Sequence, residues 1–98
     1  MAQLKWTVES ERWLKEILDY IAEDSPEAAV DTIVGIYERA QVLLFHPEIG
    51  ALYEVITDRN VRILLYGHYR IAYLVKPNSD IDILGVFHGA LDIKRYIL

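Results

Sequence analysis

Residues 61–89, VRILLYGHYRIAYLVKPNSDIDILGVFHG, decide the fold of this chain. Gly67-His68 places glycine first in a two-residue connection, the chemistry of a type II′ turn, and the flanks alternate with the two-residue period of a strand. Counting outward from that turn pairs Tyr66 with Tyr69, Leu65 with Arg70 and Ile63 with Ala72. The next connection, Lys76 to Asp80, contains Pro77, Asn78 and Ser79, all turn formers. Taken as a five-residue loop, it pairs Val75 with Ile81 and Ala72 with Leu84, and sets Arg70 opposite Val86. The stretch is therefore three consecutive antiparallel strands.

Paired residues share a face, so this register sorts the side chains into two sets. One set is Leu64, Tyr66, Tyr69, Ile71, Tyr73, Val75, Ile81, Ile83 and Phe87. The other is Val61, Ile63, Leu65, Ala72, Leu74, Leu84 and Val86, interrupted near one end by Arg70 and His88. Both are apolar, and a sheet apolar on both sides needs two covers, or one cover and a partner.

The rest of the chain supplies one of them. Leu4, Trp6 and Val8 alternate with polar neighbours as a short first strand. Ser10 is placed to cap a helix whose stripe is Trp13, Leu14, Ile17, Leu18 and Ile21. Asp24-Ser25-Pro26-Glu27 starts a second helix: Ser25 as N-cap, Pro26 where its missing N–H costs nothing, Glu27 favoured by the helix dipole. Its stripe runs through Ala29, Ile33, Ile36, Tyr37, Ala40, Leu43 and Leu44 to a stop at Phe45-His46-Pro47. The short link makes the two helices an antiparallel hairpin. Pro47-Glu48-Ile49-Gly50 is a turn, Leu52 to Ile56 an extended segment, and Ile93, Tyr96 and Ile97 recur at the spacing of a short terminal helix. The order is β-α-α-β-β-β-α, an α+β domain over 1–98 in which a helical hairpin covers one face of a mainly antiparallel sheet. Only the C-terminal segment is left for the other face.

Composition narrows the function classes. At 98 residues the chain is sized for one core. Hydrophobic residues make up 53% and no run approaches the roughly 18 apolar residues that cross a bilayer, which predicts a globular domain with no membrane association. The amino-terminal residues lack the basic region and apolar core of a signal peptide, so a cytoplasmic location is expected. The absence of cysteine excludes disulfides, cysteine–zinc sites and thiol catalysis. A net charge of −5 argues against broad nucleic-acid binding.

Chemistry-bearing motifs are few. His46, His68 and His88 do not share a ligand spacing with carboxylates, so no metal site and no cofactor is expected. There is no Ser/His/Asp order and no phosphate-binding glycine loop. Arg70 and His88, adjacent in the expected register, form either a solvated sheet end, in which Arg70 can also pair a carboxylate, or a small site for phosphate or proton transfer.

Taken in order, several motifs resemble those of the ParE/RelE superfamily of bacterial type II toxin–antitoxin modules, which include plasmid-stabilization systems. They are Asp24-Ser25-Pro26-Glu27-Ala28-Ala29, His46-Pro47-Glu48-Ile49-Gly50, Val61-Arg62-Ile63-Leu64, Tyr69-Arg70-Ile71-Ala72-Tyr73-Leu74-Val75 and Ile83-Leu84-Gly85-Val86-Phe87-His88-Gly89. The resemblance spans nearly the whole chain and implies the same order of elements.

It also implies alternative activities. RelE-like members are ribosome-dependent mRNA endoribonucleases that use basic residues on the open sheet face and a C-terminal tyrosine. Arg70, His88 and Tyr96 are the catalytic candidates under that reading, but Val61, Ile63 and Leu65 stand where such members are basic, and Ala90 or Leu91 where an arginine is expected. ParE-like members are protein binders that poison DNA gyrase, and the Asp-Ser-Pro-Glu-Ala-Ala and His-Gly motifs are more similar to theirs. That branch continues with an arginine at the position of Leu91. The resemblance thus implies a ParE-like, non-enzymatic toxin with a cognate antitoxin and gyrase as partners, a degenerate non-toxic binding module being a further alternative. The expected partner-binding residues are Ile63, Leu65, Arg70, Leu74, Leu84, Val86 and His88, and the lone chain is expected to self-associate through them.

Overall fold

The computed structural model describes residues 2–54, 56–89 and 93–97. The elements are β1 (Leu4–Trp6), α1 (Val8–Ala22), α2 (Pro26–Gln41), a 3₁₀ turn (Val42–Leu44), β2 (Ala51–Leu52), β3 (Val61–Tyr66), β4 (Tyr69–Val75), β5 (Ile81–His88) and α3 (Lys94–Ile97). They form a five-stranded sheet in the order β1-β5-β4-β3-β2, antiparallel except where β1 runs parallel to β5. The expected α+β layout holds, with one addition: β2 is a two-residue edge strand on β3 rather than an extension to Ile56.

The β3–β4 hairpin has the register read from its turn, Tyr66 to Tyr69, Leu65 to Arg70 and Ile63 to Ala72. Gly67 takes φ +57°, which a two-residue turn with glycine first requires. The β4–β5 pair begins as expected with Val75 opposite Ile81 and then departs. An irregularity between Ala72 and Tyr73 lets β5 gain one residue, so Ala72 faces Gly85 and not Leu84, and Arg70 faces Phe87 and not Val86. An extra residue in one strand reverses every side chain beyond it. Val86 consequently joins the core beneath the helices, Phe87 goes to the opposite face, and His88 pairs with Tyr69.

The helical hairpin packs as its stripes require. Leu14 of α1 and Ile36 and Ala40 of α2, with Leu43, bury against Leu64, Ile71, Tyr73, Ile81, Ile83 and Val86. The α1 cap is Thr7, not Ser10: its hydroxyl accepts from the Ser10 amide at 3.1 Å and donates to the Ile83 carbonyl at 2.7 Å. One side chain thereby starts the helix and ties it to β5. Val8 is the first helical residue instead of the end of the strand. Ser25 and Pro26 act as expected, the Ser25 hydroxyl accepting from the Ala28 amide at 3.2 Å.

The turn after α2 is bolted to the sheet. The buried Tyr73 hydroxyl donates to the Pro47 carbonyl at 2.8 Å and accepts from the Gly50 amide at 2.9 Å. Next to it on the same face, the Arg62 guanidinium donates to the carbonyls of Gly50 at 2.9 Å and Glu48 at 3.2 Å, and to the Asn60 side chain at 2.9 Å. A Cβ on Gly50 would stand 2.6 Å from the Tyr73 oxygen, so this close approach requires glycine.

Candidate partner-binding face

The sheet face turned away from the hairpin carries Val61, Ile63 and Leu65 on β3, Arg70, Ala72 and Leu74 on β4, and Phe87 on β5. A small second core closes its β5 side: Ala72, Phe87 and Ile93 are buried, with Trp13, Tyr53, Ile63 and Leu84 packed against them. The expectation of a face covered only by the C-terminal segment is thus corrected in part. Ile93 comes from that segment, Trp13 from α1 and Tyr53 from the loop after β2. On the β3 side Leu65 remains 61% exposed, and Ile63 and Leu74 are half-buried.

The residues expected to bind a partner divide accordingly. Ile63, Leu65, Arg70 and Leu74 stay together on the open face, and Leu84 adjoins its second core. Val86 leaves the set, fully buried beneath the helices. His88 leaves it too: the register puts it on the face opposite Arg70, with its ring edge-on to Tyr69 at 5.9 Å and stacked beside His68 at 6.4 Å. The corner expected from Arg70 and His88 dissolves for the same one-residue reason. Positions Ala90 and Leu91, where the family comparison turns on a missing arginine, lie outside the described residues.

Tyr96 packs on Phe87, the cross-strand partner of Arg70. Its ring stacks on Phe87 at 5.8 Å and meets Trp13 edge-on at 4.9 Å, so it belongs to the same side of the sheet as Arg70. Phe87, Trp13 and Tyr96 form an aromatic cluster that the expected register could not show. The available signal was Gly85, since a glycine inside a strand marks a bulge or a close approach. A Cβ there would lie 2.4 Å from the Phe87 ring, which folds back over it.

Most cations around the sheet are already committed. Arg62 holds the turn at Pro47–Gly50, the Arg39 Nε donates to the Leu65 carbonyl at 3.2 Å, and Lys76 bridges Asp82 at 3.1 Å. Arg70 is the arginine that the strands place on the open face. Among the described residues no group of three or more His, Cys, Asp or Glu could hold a metal ion, and no helix is long and apolar enough to cross a membrane. Burial raises the Tyr73 hydroxyl above the usual tyrosine range, and burial with the negative charge of Glu11 raises Tyr37.

Against this geometry, the family model described as "ParE toxin of type II toxin-antitoxin system, parDE" matches residues 4–93. The chain belongs to the ParE toxin family. It is 30% identical over 87 residues to "Putative toxin Y4kP" of Sinorhizobium fredii (strain NBRC 101917 / NGR234), covering 89% of this chain and 88% of that protein. It also superposes on a chain of the solved "Chromosomal ParDE TA system from P. aeruginosa" with a TM-score of 0.74 and 27% identity, over 90% of this chain and 96% of the other. The ParE family implies an antitoxin partner. The match to residue 93 takes in both the helical hairpin and the open face, so family membership belongs to the whole sheet and not to one motif.

Proposed function

We propose that this ParE-family chain is a toxin that works by binding protein, that a cognate antitoxin neutralises it by packing on the open sheet face, and that DNA gyrase is its target in the cytoplasm. The observation that carries the reading is the state of the cations. Cleaving RNA without a metal requires several cations converging on the phosphate where charge develops. Here Arg62 and Lys76 are engaged elsewhere, and the strand positions beside Arg70 are Ile63, Leu65 and Leu74. A face of this kind favours apolar packing against protein.

The endoribonuclease reading keeps one point in its favour, the placement of Arg70 and Tyr96 on the same side of the sheet around Phe87. Induced expression without antitoxin separates the two. A protein-binding toxin stops DNA supercoiling by purified gyrase and leaves ribosome-bound mRNA intact. Cleavage of mRNA at codon positions by the purified chain would overturn the proposal, and growth unaffected by expression would point to a non-toxic binding module. The partly exposed face also leads to self-association of the isolated chain, relieved by the antitoxin, which sedimentation of the two forms would read.

A further inference from the structure

We propose that the cleft between α1 and α3 is a receptor for an arginine side chain presented by a protein partner. Glu9, Arg12, Trp13, Glu16 and Tyr96 line a recess of about 210 Å³. Trp13 and Tyr96 meet at 85°, so their rings make two walls of a corner, and the buried Phe87 packs against both. Tyr96 nevertheless stays 48% exposed and lines the recess. Aromatic faces attract cations, and a planar guanidinium stacks on them while its N–H groups reach a carboxylate in the same plane.

The charge at the rim matches. Glu9 is engaged by Arg12 at 3.1 Å, whereas Glu16 has no ion-pair partner among the described residues. The chain as a whole carries −5, so the long-range field also favours a basic visitor. Arg12 is the only unfavourable group in the lining, and its exposed pair with Glu9 is of the kind that contributes little to stability. The inference rests on the protein-binding reading for the kind of partner, and on the cleft alone for its chemistry.

The test uses the full chain with Trp6→Phe, which leaves Trp13 as the reporter, and N-acetyl-arginine amide as the probe. The expected result is a saturable change in Trp13 fluorescence that N-acetyl-citrulline amide, uncharged and of the same shape, does not produce. Glu16→Gln is expected to weaken the response on the order of fivefold, as for a lost charge-assisted hydrogen bond. Arg12→Gln is expected to strengthen it by about two- to threefold as for a removed exposed like charge. Circular dichroism confirms that each variant is folded. No saturable response, an equal response to citrulline, or a Glu16→Gln chain that binds normally would overturn the proposal. So would an equal response to N-acetyl-lysine amide, which would show that the planar group is not what the corner recognises. Neither gyrase nor antitoxin takes part in the titration, so its failure is distinguishable from failure of the function proposed above.

Discussion

The two faces of the sheet carry nearly the same apolar density along the chain and meet different fates. Beneath the helices, Leu64, Ile71, Tyr73, Ile81, Ile83 and Val86 are closed over by Leu14, Ile36, Ala40 and Leu43. On the other side, Ala72 and Phe87 are closed over by Trp13, Tyr53 and Ile93, and the cover stops before Leu65. Alternating hydrophobicity therefore identifies a strand but does not say whether its apolar face folds the protein or meets a partner. The difference lies in how much of the chain is left to cover each side. Folding stability should reside mainly on the helical side, and the proposed partner binding on the other.

The largest expected effect tests that division directly. Ile36→Ala or Ile71→Ala empties the helical core and is expected to cost about 2–5 kcal/mol, read by urea unfolding. A cost below about 1 kcal/mol would mean that this side is not the main core. The bulge that separates the faces can be broken next. Gly85→Ala drives a Cβ into the Phe87 ring and is expected to cost about 1–3 kcal/mol, with part recovered when Phe87→Leu is added. Strict additivity of the two substitutions would show that the ring does not sit over Gly85.

The third prediction concerns the bolt between the sheet and the Pro47–Gly50 turn. Tyr73→Phe removes two hydrogen bonds and leaves the Gly50 amide without its acceptor, at an expected cost of about 1–2 kcal/mol. Because burial raises the Tyr73 hydroxyl in the folded state, the folded protein holds that proton more tightly than the unfolded chain does. Stability is then fully present below the unfolded tyrosine value of about 10 and falls as pH rises from there through the folded value. Tyr73→Phe should flatten that alkaline decline, and an unchanged slope would remove Tyr73 as its source. The smallest effect is Leu65→Ala, expected within about 0.5 kcal/mol because the side chain is mostly in water.

Much of this was legible in the sequence where local chemistry and long-range structure agree. Ser25-Pro26 started α2, Gly67-His68 aligned β3 with β4, and each set its neighbours by short-range constraints. The errors begin where one residue changes parity. The residue added at the bulge exchanged Val86 with Phe87, moved His88 away from Arg70, and hid the aromatic cluster of Trp13, Phe87 and Tyr96. Gly85 was the residue to weigh, because its missing side chain is what admits the Phe87 ring. The roles of Arg62 and Tyr73 were not visible either: tying down a turn 12 to 26 residues away depends on tertiary placement that no periodicity encodes.

In the proposed function the partner packs on the open sheet face and not on the outer surface of the helices. Leu65 and Val30 are both exposed apolar residues, one on each side of the molecule, and neither belongs to a core. Calorimetric titration of the cognate antitoxin into Leu65→Glu and Val30→Glu chains, each shown to be folded, separates the two surfaces. A charge placed in the dry part of an interface should weaken binding by tenfold or more, about 1.4 kcal/mol. The expected result is that loss for Leu65→Glu with Val30→Glu unchanged; normal binding by Leu65→Glu, or an equal loss for Val30→Glu, would contradict the account.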